Sequence, residues 1–168
     1  MRLSQLLLIL ALCLFLPTSG AEASGRVIAD ITEFGLFEPL GDQNDREVAS
    51  TAAGKVSTHD NSRHIETTTT FKARRGLVFG LRYVVKGLPD GEHEGFAMRA
   101  VHPPMAGPSG RTTTVSEAPI SLFSEGGVAG DDLFYKLSND YEVLPGQWRL
   151  EVLYRGQVIL TKSFLLTQ

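Results

Sequence analysis

The chain has 168 residues, with 16 Lys and Arg against 19 Asp and Glu and a formal charge of −3 at pH 7. A mildly acidic chain has no electrostatic reason to seek nucleic acid or an anionic membrane surface, so neither is expected as a partner. Its one cysteine, Cys13, excludes a disulfide framework.

The first two dozen residues read as a cleavable secretory signal peptide. Arg2 gives a positive start, Leu6 to Leu16 form an apolar run ended by Pro17, and Ala21-Glu22-Ala23 fits the small-x-small pattern of a cleavage site. The run is far shorter than the roughly 20 apolar residues that span a bilayer. Cys13 follows Leu12 and sits inside the apolar run, whereas lipidation wants a small residue before the cysteine. Residues 1–23 are therefore expected to be removed, leaving residues 24–168 as a single domain, periplasmic or secreted, with no membrane span and no thiol. At that length one apolar core is sufficient.

Strand signals dominate the remainder, because Gly and Pro recur too often for long helices. Val27 to Phe37 is the first strand; its apolar phase slips after Ile31, which predicts a bulge near Glu33. Gly41 to Arg46 is polar and expected to be a loop, followed by a weak strand around Gly54-Lys55-Val56-Ser57. His64 to Phe71, with four consecutive threonines, favours extended backbone. Leu77 to Lys86 alternates most clearly, and Leu88-Pro89-Asp90-Gly91 is a turn. Phe96 to His102 is a strand stopped by Pro103-Pro104, and residues 103–130 form the longest irregular stretch. Leu133 to Leu137 is short. Trp148 to Tyr154 and Val158 to Leu166 form a hairpin at Arg155-Gly156. A strict two-residue loop there would place the two apolar sets on opposite faces, so a longer loop or a bulge is required. These features predict an all-β, antiparallel, immunoglobulin-like sandwich of about seven strands, with a small β-barrel as the alternative.

Leu144-Pro145-Gly146-Gln147-Trp148-Arg149-Leu150-Glu151-Val152, with Tyr154-Arg155-Gly156-Gln157 and Ser163-Phe164-Leu165, resembles the last hairpin of immunoglobulin-like accessory domains. Many of these place a tyrosine where Trp148 stands, its hydroxyl tying down the corner. The layout, including Arg82-Tyr83-Val84-Val85 and His102-Pro103, is also similar to small exported bacterial domains of unknown function. The resemblance implies fold and compartment, and no activity.

Several clusters carry candidate chemistry. His59, Asp60 and His64 lie close together in sequence and suit a metal site or a base with its orienting carboxylate, although a solvated loop is the simpler reading. Met98, His102 and Met105 offer soft ligands for Cu(I). On an extended strand, however, positions 98 and 102 stand roughly 13 Å apart. Arg75-Gly76-Leu77-Val78-Phe79-Gly80 resembles the RNA-recognition strand motif, but Leu77 replaces the stacking ring that such binding needs. Glu92-His93-Glu94 reads as a solvated hairpin tip. Asp131, Asp132, Asp140 and Glu142 offer oxygens for Ca²⁺ only if they converge.

The reading that follows is a non-catalytic binding or accessory module of the bacterial envelope, without a cofactor. Its partner is another envelope protein or a small ligand, met at Arg99 and His102 beside residues 103–118. The alternative is a periplasmic protein handling copper or zinc through His102, Met105, His59 and His64. An enzyme with an unfamiliar site is the third possibility, and it requires the histidines to converge in one pocket.

Overall fold

The structure is a computed structural model that describes residues 26–168 apart from 52 and 109; the side chains of 42, 43 and 56–60 are also outside the described set. The expected signal peptide, residues 1–23, lies outside the described residues.

Among the described residues there are nine strands: β1 (Ile28–Glu47), β2 (Lys55–Glu66), β3 (Thr70–Lys72), β4 (Val78–Lys86), β5 (Gly91–Ala106), β6 (Thr112–Ser124), β7 (Val128–Lys136), β8 (Gly146–Tyr154) and β9 (Gln157–Thr167). A single 3₁₀ turn covers Asp140–Glu142. The strands form two open sheets, ordered β2-β1-β4-β7 and β3-β9-β8-β5-β6. The fold is thus the expected sandwich, with more strands than the seven anticipated and without the closure a barrel needs. Pairing is antiparallel except between β3 and β9.

Alternation in β4 and β8 makes the core. Phe79, Leu81, Tyr83 and Val85 point inward from the first sheet and meet Trp148, Leu150 and Val152 of the second. The Phe79 ring stands edge-on to Trp148 at 5.7 Å and to Phe164 at 5.3 Å, geometries the aromatic quadrupole favours. The last hairpin does use a two-residue loop. Arg155 (φ 49°) and Gly156 (φ 78°) both adopt left-handed backbone, as a type I′ turn requires. A shift of register follows, Leu153 pairing Val158 but Val152 pairing Leu160, so Ile159 is the extra residue. That bulge returns Leu160 and Phe164 to the face of Trp148 and leaves Val158 outside. The slip foreseen near Glu33 is likewise a register shift between Ile31 and Glu33.

Three stretches differ from expectation. Residues 41–46 are strand, because their backbone pairs with β2 in a ribbon, where Lys55 Nζ meets Asp45 Oδ2 at 2.5 Å. The threonine run is where the chain leaves one sheet for the other. Thr68 Oγ1 bonds both the N–H and the C=O of Thr70 at 3.2 and 3.3 Å, so its hydroxyl serves a local turn. Residues 103–130 contain the end of β5, all of β6 and the start of β7. Pro103 and Pro104 fall in a register shift between Val101 and Met105, and Pro119 lies on an edge strand; these are the places where a missing N–H is tolerated.

The long β1–β2 ribbon positions the site. After a shift between Leu36 and Phe37 it leaves β4 and crosses the outer face of its own sheet. Phe37 packs on Phe134 of β7 at 4.3 Å. Arg82 of β4 then clamps the ribbon, reaching Glu33 at 2.6 Å, Asp132 at 3.2 Å, Ser62 Oγ at 2.7 Å and the Ser62 carbonyl. The ribbon tip ends on β6: Arg46 donates to the Pro119 carbonyl at 2.8 Å, and Ser50 Oγ to that of Glu117 at 2.6 Å. Part of an exposed sheet edge is thereby covered.

Candidate functional site

Strands β6 and β7 are the free edges of the two sheets, joined by a tight turn at residues 125–128. Between them, beneath the ribbon, is a cavity of about 670 Å³. Its apolar wall includes Met98, Ala118, Ile120 and Leu133, and its polar wall includes Tyr83, Asp131 and Glu142. The inward residues of β6 run Ser116, Ala118, Ile120, Leu122 and Ser124, small or polar at several places. They border space at one end and core at the other, which is why no clean apolar period marked this strand.

The charged groups around the cavity divide sharply. Asp132 is held by Arg82, and Glu117 by Arg99 at 2.7 Å. Glu142 is 3% exposed and accepts from the Ser138 and Asn139 amides at 2.8 and 2.6 Å, from Asn139 Nδ2 at 3.0 Å and from the Tyr135 hydroxyl at 3.4 Å. It is a structural carboxylate, legible in the Asn139-x-x-Glu142 capping pattern. Asp131 is different. It accepts one backbone bond, from the Asp132 amide at 2.8 Å, and no basic side chain pairs with it among the described residues. Burial pushes its pKa up to about 6, with the backbone bond opposing and the Asp132 charge adding. Tyr83 faces Asp131 directly across β4 and β7, and its hydroxyl, in a residue 1% exposed, has no hydrogen-bond partner. Burial, reinforced by the charges of Asp131 and Asp132, raises the pKa of that phenol.

The described residues singled out in the sequence are distributed over both sheets. Arg99 lies on the outer face of the second sheet in a network with Glu117, Glu151 and Arg149. His102, three positions on, faces inward and is 4% exposed, 5.3 Å from the Trp148 ring. Its Nδ1–H donates to the Pro103 carbonyl at 2.9 Å, leaving Nε2 to accept from Ser116 Oγ at 3.3 Å. Burial lowers its pKa, so the ring is neutral at pH 7, with the Pro103 bond and Glu142 opposing. Met105 is also buried, its sulfur 4.0 Å from the Tyr135 hydroxyl. His64 lies on the ribbon over the other sheet, donating to the Phe34 carbonyl at 3.1 Å. The side chains of His59 and Asp60 are outside the described set. Among the described residues no group of three His, Cys, Asp or Glu is placed to hold a metal ion, and no helix is long and apolar enough to cross a membrane.

Trp148 answers the tyrosine of the corner. Its indole Nε1 donates to the Leu144 carbonyl at 3.0 Å, so the tie runs four residues back along the chain.

The chain belongs to the family described as domain of unknown function DUF3859, whose pattern matches residues 25–166. It is similar to an immunoglobulin-like protein from Pseudomonas aeruginosa, with 25% identity and a TM-score of 0.61 over 86% of this chain and 99% of that one. A weaker likeness, at 12% identity and a TM-score of 0.40, is to an alkylpurine DNA glycosylase from Pseudomonas fluorescens; it covers 60% of this chain and 28% of that one and carries no argument. No curated protein matches the chain.

Proposed function

We propose that this immunoglobulin-like member of the family is an exported, non-catalytic module that holds a small organic ligand in the cavity between β6 and β7. The observation that carries the reading is the cavity itself. Its volume of about 670 Å³ lies within the range of small-molecule sites, and a few polar groups stand out against an apolar wall. A sandwich whose edges simply closed on one another would bury this surface in packing. Export is supported by the charged start, apolar middle and small-residue exit of residues 1–23.

The non-catalytic reading is supported by how the buried base and hydroxyl in contact, His102 and Ser116, are held. His102 and Ser116 have the polarity of a base and a nucleophile, but a backbone carbonyl, not a carboxylate, orients the ring. It therefore lacks the charge that stabilises an imidazolium in hydrolytic triads.

The test is a thermal-shift screen of a metabolite library against the full chain and Ala118→Leu, whose added side chain occupies the cavity. A compound that raises the melting temperature of the first and not of the second supports the reading. Compounds that stabilise both equally, or none that stabilises the unsubstituted chain, overturn it. Circular dichroism establishes that the variant is folded.

A further inference from the structure

The side of the cavity formed by β4 and β7 contains a partly buried carboxylate and a fully buried hydroxyl that lack the partners usual for such groups. Buried carboxylates are normally paired, and buried hydroxyls normally find a partner. Asp131 has one backbone donor and no cation, while the Tyr83 hydroxyl has nothing. Both destabilise the fold, and they are adjacent, since Tyr83 and Asp131 are register partners whose side chains share the inner face. Neither supports the ribbon, which Arg82, Arg46 and Ser50 already secure. Two adjacent local violations bordering a cavity, with no structural gain, mark a site that a ligand completes.

Resting on the reading of the cavity as a ligand site, we propose that its ligand is an organic ammonium ion. The charged head donates to the free oxygen of Asp131 and, once the side chains closing over it shift, to the Tyr83 hydroxyl, and the apolar body lies along Met98, Ala118 and Ile120. The donor inventory selects this class. Asp131 when ionised only accepts, so the missing partner must donate, and a positive charge also offsets the burial of the carboxylate. Three of the cations that line the cavity are engaged elsewhere, Arg82 with Glu33 and Asp132, Lys55 with Asp45, and Arg46 with the Pro119 carbonyl, and no basic side chain pairs with Asp131 among the described residues. An anionic head would face Asp131 and its neighbour Asp132, a repulsion that disfavours carboxylates and phosphates.

The experiment is calorimetric titration of the full chain at pH 7.5 with a matched pair, 2-phenylethylamine and uncharged 2-phenylethanol. The amine is expected to bind at least tenfold more tightly. The preference should fall below twofold in Asp131→Asn, and Tyr83→Phe should weaken the amine severalfold while leaving the alcohol unchanged. Equal binding of amine and alcohol overturns the ammonium assignment and leaves the cavity reading standing. The same holds if neither member binds but uncharged library compounds still discriminate the parent chain from Ala118→Leu. An amine preference that persists undiminished in a folded Asp131→Asn also overturns it. Loss of every cavity ligand overturns both readings together.

Discussion

Asp131→Asn removes a partly buried charge at nearly constant shape, and its effect on stability has a size that depends on pH. Asparagine keeps an oxygen for the Asp132 amide, so the 2.8 Å bond survives. The folded-state pKa of Asp131 is about 6 against an ordinary value of 3.8. Between those values the native chain retains a proton that the unfolded chain has released, so stability contributed by this group falls as pH rises through the window. Above about pH 7 the cost is complete, and below the ordinary value it vanishes. At about 1.4 kcal/mol per pH unit the full cost is roughly 3 kcal/mol, and partial contact with solvent reduces it to about 1–2 kcal/mol. Asp131→Asn should therefore be more stable than the parent by about 1–2 kcal/mol at pH 7.5, and within a few tenths of it near pH 4. Urea unfolding of both proteins at the two pH values measures this, and taking the difference at each pH cancels the titrating groups that do not interact with Asp131. A variant less stable than the parent at pH 7.5, or a difference independent of pH, would refute the assignment of Asp131 as an unpaired, partly buried charge.

Four further outcomes are expected. Tyr83→Phe should stabilise the unliganded protein by about 1 kcal/mol in the same unfolding assay, because it deletes a buried hydroxyl that bonds to nothing; a loss of stability would show that the hydroxyl has a partner. Gly80→Ala should cost more than about 3 kcal/mol, since a Cβ there collides with the Leu133 carbonyl and lies 2.6 Å from Phe134 Cδ1. An alanine variant melting with the parent would contradict the close approach of β4 and β7. Trp148→Phe should cost about 2–4 kcal/mol, from the lost donor to the Leu144 carbonyl together with the void left by the indole. The expected sign is a lower melting temperature with unchanged far-ultraviolet circular dichroism. A fluorophosphonate probe should leave Ser116 unlabelled, and mass-spectrometric detection of an adduct on that residue would reopen the enzymatic reading.

The parts of the fold legible in the sequence are those where a strand faces core on one side and solvent on the other. Leu77 to Lys86 and Trp148 to Tyr154 alternate because their inward residues meet each other across the sandwich, and hydrophobic patterning reports that directly. The Glu33 bulge was visible for the same reason, as a slip of phase. Residues 41–46 and 103–130 were obscure because what they face is neither core nor bulk water. The ribbon lies on its own sheet's outer face through Arg82, Asp132 and Ser62, and β6 borders a cavity. Polar and small residues in such places mimic the composition of loops. Arg99 and His102 illustrate the limit at a single strand: close in sequence, they belong to opposite faces, one in an ion network and the other beside Trp148.

By itself, then, the sequence determined the β class, the sandwich and the turn at Arg155-Gly156, because periodicity and turn chemistry are local properties of a chain. It also determined what residues 24–168 lack, a thiol, and so which chemistries are closed to them. Only the tertiary structure decided where function is to be sought. Asp131 and Tyr83 lie 48 positions apart, and each is unremarkable in its own strand. Pairing between β4 and β7 brings them together, and the crossing of the ribbon encloses the space they face. Burial, which raises the carboxylate's pKa and leaves the phenol without a partner, is a property of that enclosure and has no counterpart in the linear chain.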